Sequence, residues 1–146
     1  DRRPAGRSLM KMKIRIEGTD EIARNLRAMG KALRRDTLVP IMERRLEPMA
    51  GDMRANAPRR SGELADSITV GTELSPAQAA INDPIAEIEV YAGPGPLPQA
   101  VQEEFGNIHQ SPRPYIRPAF DARVDAALKG IAHDGIEAAL EAGKVR

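Results

Sequence analysis

The sequence predicts an α+β fold, with a small antiparallel sheet packed against a long kinked helix and a C-terminal helix. Three observations carry that expectation. Residues 12–17 and 85–92 alternate apolar and polar side chains, which is the period of a half-buried strand. Longer stretches repeat apolar residues every three or four positions, the period of an amphipathic helix. A Pro-rich segment joins the acidic end of a short helix to the start of the last one.

A chain of 146 residues makes one domain with a modest core. We divide it into a disordered basic arm, residues 1–11, and a single α+β domain, residues 12–146. Aromatics make up only 3 % of the chain, so the core must be aliphatic. The chain has no cysteine, which excludes disulfides and thiolate metal sites. No apolar run approaches the roughly 18 residues that a membrane span needs, and no segment reads as a signal peptide.

The elements follow in order. Met12, Ile14 and Ile16 share one face of a first strand. Thr19 or Asp20 then caps a helix whose apolar face is Ile22, Leu26, Met29 and Leu33, with Gly30 as a candidate break. Asp36 or Thr37 caps a longer helix striped by Leu38, Ile41, Met42, Leu46, Met49 and Met53. Pro40 is tolerated in its first turn, and Pro48 should kink it. Asn56-Ala57-Pro58 stops that helix. A basic turn follows, in which Ser61 can cap a short helical turn. Ser67–Val70 reads as a strand and residues 71–84 as a long polar connection, mobile and with little to bury. Ile85–Ala92 reads as the partner strand, with Ala86, Ile88, Val90 and Ala92 inward. A stiff Gly-Pro linker leads to a helix over Gln99–Phe105, which Gly106 ends. The last helix spans about Pro118 to Ala142, with Phe120, Val124, Ala127, Leu128, Ile131, Ile136, Ala139 and Leu140 on its apolar side. Gly130 and Gly135 should weaken it locally.

Nothing in the chain makes a positive case for an enzyme. His109 and His133 lack a His-x-x-x-His or cysteine context, so both read as solvated. Ser61 and Ser111 have no signature of an activated nucleophile. Gly93-Pro94-Gly95-Pro96 lacks the Lys-Ser or Lys-Thr of a phosphate loop, and its prolines remove the amides that would cradle phosphate. No cofactor and no metal site is expected.

The net charge of +1 hides a segregated distribution. Residues 24–60 carry ten basic and four acidic side chains, a net +6, whereas residues 61–146 carry six and thirteen, a net −7. Ordinary surface scatter accounts for such a split as well as a polar subunit does, one whose basic face meets the acidic face of an identical neighbour. Nucleic-acid binding through residues 24–60 is the alternative. It is less favoured, because no aromatic interleaves those cations.

The scarce aromatics concentrate in one place. Glu103-Glu104-Phe105-Gly106-Asn107 is followed by Ser111-Pro112-Arg113-Pro114-Tyr115-Ile116-Arg117-Pro118-Ala119-Phe120. The prolines pre-set an extended backbone, so ordering it costs less entropy. Tyr115 with its flanking arginines suits the centre of a contact surface. Equally, Tyr115, Ile116 and Phe120 can plug the subunit's own core. Arg113 and Arg117 should pair with carboxylates, with Glu103 and Glu104 nearest. The candidate interface set is therefore Arg44, Arg45, Arg59, Arg60, Glu103, Glu104, Arg113, Tyr115 and Arg117.

Together with Ser61-Gly62-Glu63-Leu64-Ala65-Asp66-Ser67-Ile68, this signature resembles the neck, or tail-completion, family of long-tailed double-stranded DNA phages, prophages and phage-like gene transfer particles. The resemblance covers about residues 12–142. It implies a structural virion protein of the head–tail connector with no catalytic residues to carry over. It also implies a closed homo-oligomeric ring, six-fold or a multiple of that, around a channel through which DNA passes without sequence-specific binding. The implied neighbours are a connector or head-closure protein on one side and a tail tube or terminator protein on the other. The implied location is the virion neck, and the host cytoplasm during assembly, with no membrane partner.

Overall fold

Two antiparallel helices frame the computed structural model, which describes residues 19–144. The basic arm at 1–11 and the strand read at 12–17 lie outside the described residues. The first of the pair is α2 (Arg35–Asn56), and the second, α6 (Ile116–Gly143), has 28 residues and is about 42 Å long. Leu38 lies beside Gly135, Arg45 beside Gly130 and Asp52 beside Arg123, which fixes the antiparallel pairing. Ahead of them, α1 (Thr19–Ala32) packs on the C-terminal end of α6, with Met29 against Gly143. It runs through Gly30 without a break.

The buried residues of α6 are all small, with Ile116 and Val124 partly buried beside them. Ala119, Ala127, Gly130, Gly135 and Ala139 are buried. Phe120, Leu128, Ile136 and Leu140, which the sequence places on the inward side, are exposed. Volume decides this. Met49 and Met53 and the stem of Arg45 come from α2, and a close-packed interface needs small partners opposite bulky ones. At Gly130 a Cβ would lie 2.7 Å from Cδ of Arg45, so the glycine makes room for that side chain. The N-terminus of α2 also differs from expectation. Arg34 occupies its capping position and Asp36 lies within its first turn. Pro40 and Pro48 both lie inside the helix and are exposed.

The sheet has two strands, β1 (Thr69–Gly71) and β2 (Tyr91–Gly93), antiparallel with Val70 opposite Ala92. Residues 85–90 do not extend β2 as their alternation suggests. The Glu89 carboxylate accepts hydrogen bonds from the backbone N–H of Ile85 at 2.7 Å and of Ala86 at 3.1 Å, and from the Tyr91 hydroxyl, which curls the segment into a turn. The connection 71–84 holds a helix, α4 (Pro76–Ile81). Ser75 caps it by accepting from the Gln78 amide at 3.2 Å, and the Gln78 side-chain oxygen accepts in turn from the Ser75 amide. Gln78 then donates to the Pro94 carbonyl at 3.0 Å, tying the hairpin to the chain beyond β2.

Two short helices complete the chain: α3 (Glu63–Asp66), whose first amide donates to Ser61 Oγ, and α5 (Pro98–Phe105). The core gathers Met49, Ala50, Met53 and Ala57 of α2 with Leu64, Ile68, Ala100, Tyr115 and Ala119. Methionine suits this irregular space because its unbranched chain adapts to what surrounds it.

Ala119, 1 % exposed, is the residue of α6 that lies within the core cluster. Ala119→Leu should lower stability by about 1–3 kcal/mol through overpacking, read as a lower urea midpoint at unchanged slope. An unchanged midpoint would mean that this helix contact can open at little cost.

Candidate functional site: a carboxylate clasp

The last helix begins without any cap of its own. Its N-cap position is Tyr115, which offers no acceptor, and its first turn contains no acidic residue. Its leading amides therefore need an acceptor from elsewhere. Glu104 on α5 supplies it. One carboxylate oxygen accepts from the N–H of Tyr115 at 2.8 Å and of Ile116 at 2.9 Å, and the other accepts from Arg117 at 3.0 Å. The next residue is Pro118, which has no N–H. The count of orphan donors closes with one side chain. A negative charge at this end also opposes the positive pole of the helix.

Glu104 is 8 % exposed. Burial pushes its carboxyl up, but the amides of Ile116, Tyr115 and Arg117, with the charge of Arg117 added, outweigh burial and hold it below its ordinary value. Beneath it lies Tyr115, fully buried, whose hydroxyl donates to the Ala100 carbonyl at 3.1 Å. Burial, with the nearby charges of Glu104 and Glu103, pushes that phenol up to about 12. Tyr115 thus plugs the subunit's own core.

Glu103 holds the strap that leads to the helix. Its carboxylate pairs with the Arg113 guanidinium, at 3.2 Å from Nη2 and 3.1 Å from Nε, and its carbonyl accepts from the Arg113 amide at 2.7 Å. Adjacent residues of a helix point about 100° apart. The two carboxylates therefore grip different parts of one strap. Gly106 lets the strap turn back, at φ 73° and ψ 178°, a region open essentially to glycine alone. A Cβ there would lie 2.8 Å from the Gln110 carbonyl oxygen and from Pro112. This is not the left-handed cap that the sequence suggests.

The structure thus brings Glu103, Glu104, Arg113 and Tyr115 together. Arg117 joins only through its backbone. Its side chain is 82 % exposed and reaches Asp121 alone, at 3.9 Å, so the expected pairing with Glu103 or Glu104 is corrected. Arg60 shares a cavity of about 230 Å³ with Glu103, Gln99 and Gln110. Arg59 is exposed on the neighbouring face, near Arg54 and Asp66. Arg44 and Arg45 lie far from the clasp. Arg45 grips Asp134 of α6 through two bonds of 2.7 Å, and Arg44 adds one of 3.0 Å. Hydrogen bonds from Arg45, Arg44 and His133 hold the Asp134 carboxyl well below the usual carboxylate range. Arg123 and Asp52 pair at 2.6 Å, and Arg54 and Glu47 at 2.6 Å.

Sequence reading missed Asp134, although an acidic residue between Gly130 and Gly135 on the small-residue face marks a spot where something large and basic can enter. Ligand atoms of His133, Asp134 and Glu137 lie within 4.8 Å of one another. Both Asp134 oxygens already accept from guanidinium groups, so the cluster reads as an ion-pair network. Among the described residues no helix is long and apolar enough to cross a membrane.

The family model described as "HK97-gp10_like: Bacteriophage HK97-gp10, putative tail-component" matches residues 20–95, from α1 to just past β2. The chain belongs to this phage tail-component family. The match ends before the clasp, so the Pro-Arg-Pro-Tyr signature stands on its own geometry. No curated protein and no solved structure matches the chain.

Removing the clasp carboxylate leaves three amides without an acceptor. Glu104→Ala should cost about 3 kcal/mol and speed amide exchange first at Tyr115–Arg117. Glu104→Gln should cost less, because one oxygen still accepts. The sign of the pH dependence follows from the direction of the shift. A carboxyl below its ordinary 4.5 in the folded chain contributes stability at neutral pH, and that contribution fades as pH falls from about 4.5 through the folded value. Acid titration of Glu104→Gln should therefore show a shallower loss than wild type. Equal slopes would remove Glu104 from the account.

The two signature arginines separate cleanly. Arg113→Ala leaves a buried carboxylate without its cation and should cost about 1–2 kcal/mol, the pair being half exposed on the arginine side. Arg117→Ala should stay within about 0.5 kcal/mol. Thermal denaturation of both variants decides, and equal losses would show that the clasp extends to Arg117.

Proposed function

We propose that this tail component is a structural subunit of the head–tail connector, assembling into a closed ring around the DNA channel in the virion neck. The observation that carries this reading is an inversion of size between inside and outside. Among the described residues twelve hydrophobic residues are buried and six of them are alanine, while twelve large ones are exposed. Exposed apolar area on that scale is the mark of a surface built for assembly. The partners are then copies of the same chain, a connector or head-closure protein on the head side and a tube or terminator protein on the tail side. DNA passes through the channel without base-specific contact.

The clasp fits a structural role. Glu104 is engaged by three backbone amides and Glu103 pairs with the Arg113 guanidinium, so both carboxylates serve to hold the strap and the helix start, and the subunit is not an enzyme in this reading. The basic stretch 24–60 also loses Arg44, Arg45 and Arg54 to carboxylates of the same chain, which weakens the nucleic-acid alternative.

Sedimentation and native mass measurement of the purified chain should show one closed oligomer, formed without DNA, and negative-stain images should show a ring. Antibody against the chain should label the head–tail joint of intact particles. A strict monomer at all concentrations, combined with label elsewhere on the particle, would sink the proposal.

A further inference from the structure

We propose that the tip of the β1–β2 hairpin of one copy docks on α1 of the next, an inference that rests on the ring reading. The two surfaces match in both polarity and charge. Residues 61–112 contain eight acidic side chains and not one Lys or Arg. Residues 24–35 contain five basic side chains and no acidic one. At the hairpin tip Ile81 is 88 % and Ile85 95 % exposed, and Asp83 and Glu87 beside them are exposed too. On α1, Ile22 and Leu26 form an exposed stripe, and helical periodicity sets it between the face on α6 and the side carrying Arg27 and Lys31. None of these four charged groups has an ion-pair partner among the described residues. Each surface thus pairs an apolar centre with unpaired charge, of opposite sign on the other; the two acids of α1, Asp20 and Glu21, are confined to its first turn ahead of Arg24, Arg27 and Lys31.

One copy cannot satisfy both surfaces by itself. The hairpin sits at the C-terminal end of α2, where Arg54 donates to the Ile68 carbonyl at 3.0 Å. The helix α1 sits at the opposite end of the α2–α6 pair, where Leu38 meets Gly135. Residues 38 and 54 lie about 24 Å apart along α2. A tip docked on a neighbour's α1 leaves one free tip and one free α1, so the contact repeats head to tail until the rotation closes. The tip is also held in shape before it docks. Asn82 donates to the Tyr91 hydroxyl at 3.2 Å, Glu89 gathers the amides of residues 85 and 86, and the Ser75 box fixes α4. A preorganised element loses less entropy on binding.

The chain has no native cysteine, which makes cross-linking selective. Leu26→Cys with Ile85→Cys in one chain should, on mild oxidation, give a ladder ending at the size of the wild-type oligomer, and either substitution alone should give no ladder. The charge test runs in parallel. Asp83→Lys with Glu87→Lys, or Arg27→Glu with Lys31→Glu, should each weaken association by about tenfold or more, and combining the four should restore it. Closed rings without a ladder, and indifferent to either reversal, would overturn the docking surface while leaving the ring intact. A ladder that grows without closing would keep the surface and overturn the ring. Cross-linked dimers alone would show a two-fold contact and overturn the head-to-tail arrangement. Monomers with no cross-link would overturn both.

Discussion

Because the longest helix of this chain cannot start itself, the position of Glu104 governs much else. The acceptor for its first amides lies on another helix, eleven residues back from Tyr115, and reaches them only if the strap between folds over. Gly106 makes that fold and Glu103 fastens its far side through Arg113. Once Glu104 is seated, the ring of Tyr115 has one place to go, beneath α5, with its hydroxyl on Ala100. Residues of α2, α5 and α6 then close one core around it. A buried carboxylate would ordinarily be costly, but three charge-assisted bonds replace its lost water.

The small face of α6 has a consequence that runs through the whole molecule. Alanine and glycine let α2 and α1 approach closely, so contact is gained by proximity and not by large side chains. The large side chains that remain on α6, Leu128, Ile136 and Leu140, are left pointing away. A monomer optimised for its own stability would place them inside. Their exposure is therefore information about what the surface does, in the way that a single scattered leucine is not.

Much of this was legible in the sequence. The long helices, the antiparallel hairpin and the aliphatic, Met-containing core follow from period and capping chemistry, whereas α4 escapes it and Gly62, not Ser61, holds the cap position of α3. The clasp was half legible, since the residue types and the short gap from Glu103 to Arg113 suggest a fold-back. What no periodicity reveals is that Glu104 would serve backbone amides and not Arg117, because amides carry no letter in a sequence. On α6 the apolar period names Val124, Ala127 and Ala139, which do pack inward, together with Phe120, Leu128, Ile136 and Leu140, which do not. Hydrophobic period finds the large residues, whereas the fold selects by volume against α2. At 85–90 a local bond defeated the pattern, as Glu89 captured two amides that a longer strand would have paired across the ladder.

Charge and apolar area divide the work of the outer surface. Where opposite charges meet inside the chain, as at Arg45 and Asp134, they are spent on fixing α2 against α6, and the net split between the two halves of the sequence overstates what remains for partners. The remainder is the part that matters outside: cations on α1, anions at the hairpin, each beside exposed isoleucine or leucine. Exposed charges contribute little affinity and are screened within about 8 Å at physiological salt. They choose orientation, favouring unlike ends and opposing like ones, while buried apolar area supplies the strength. A surface made this way is weak as an isolated pair and directional as an array. In the proposed ring, that combination would keep single contacts weak until several neighbours meet.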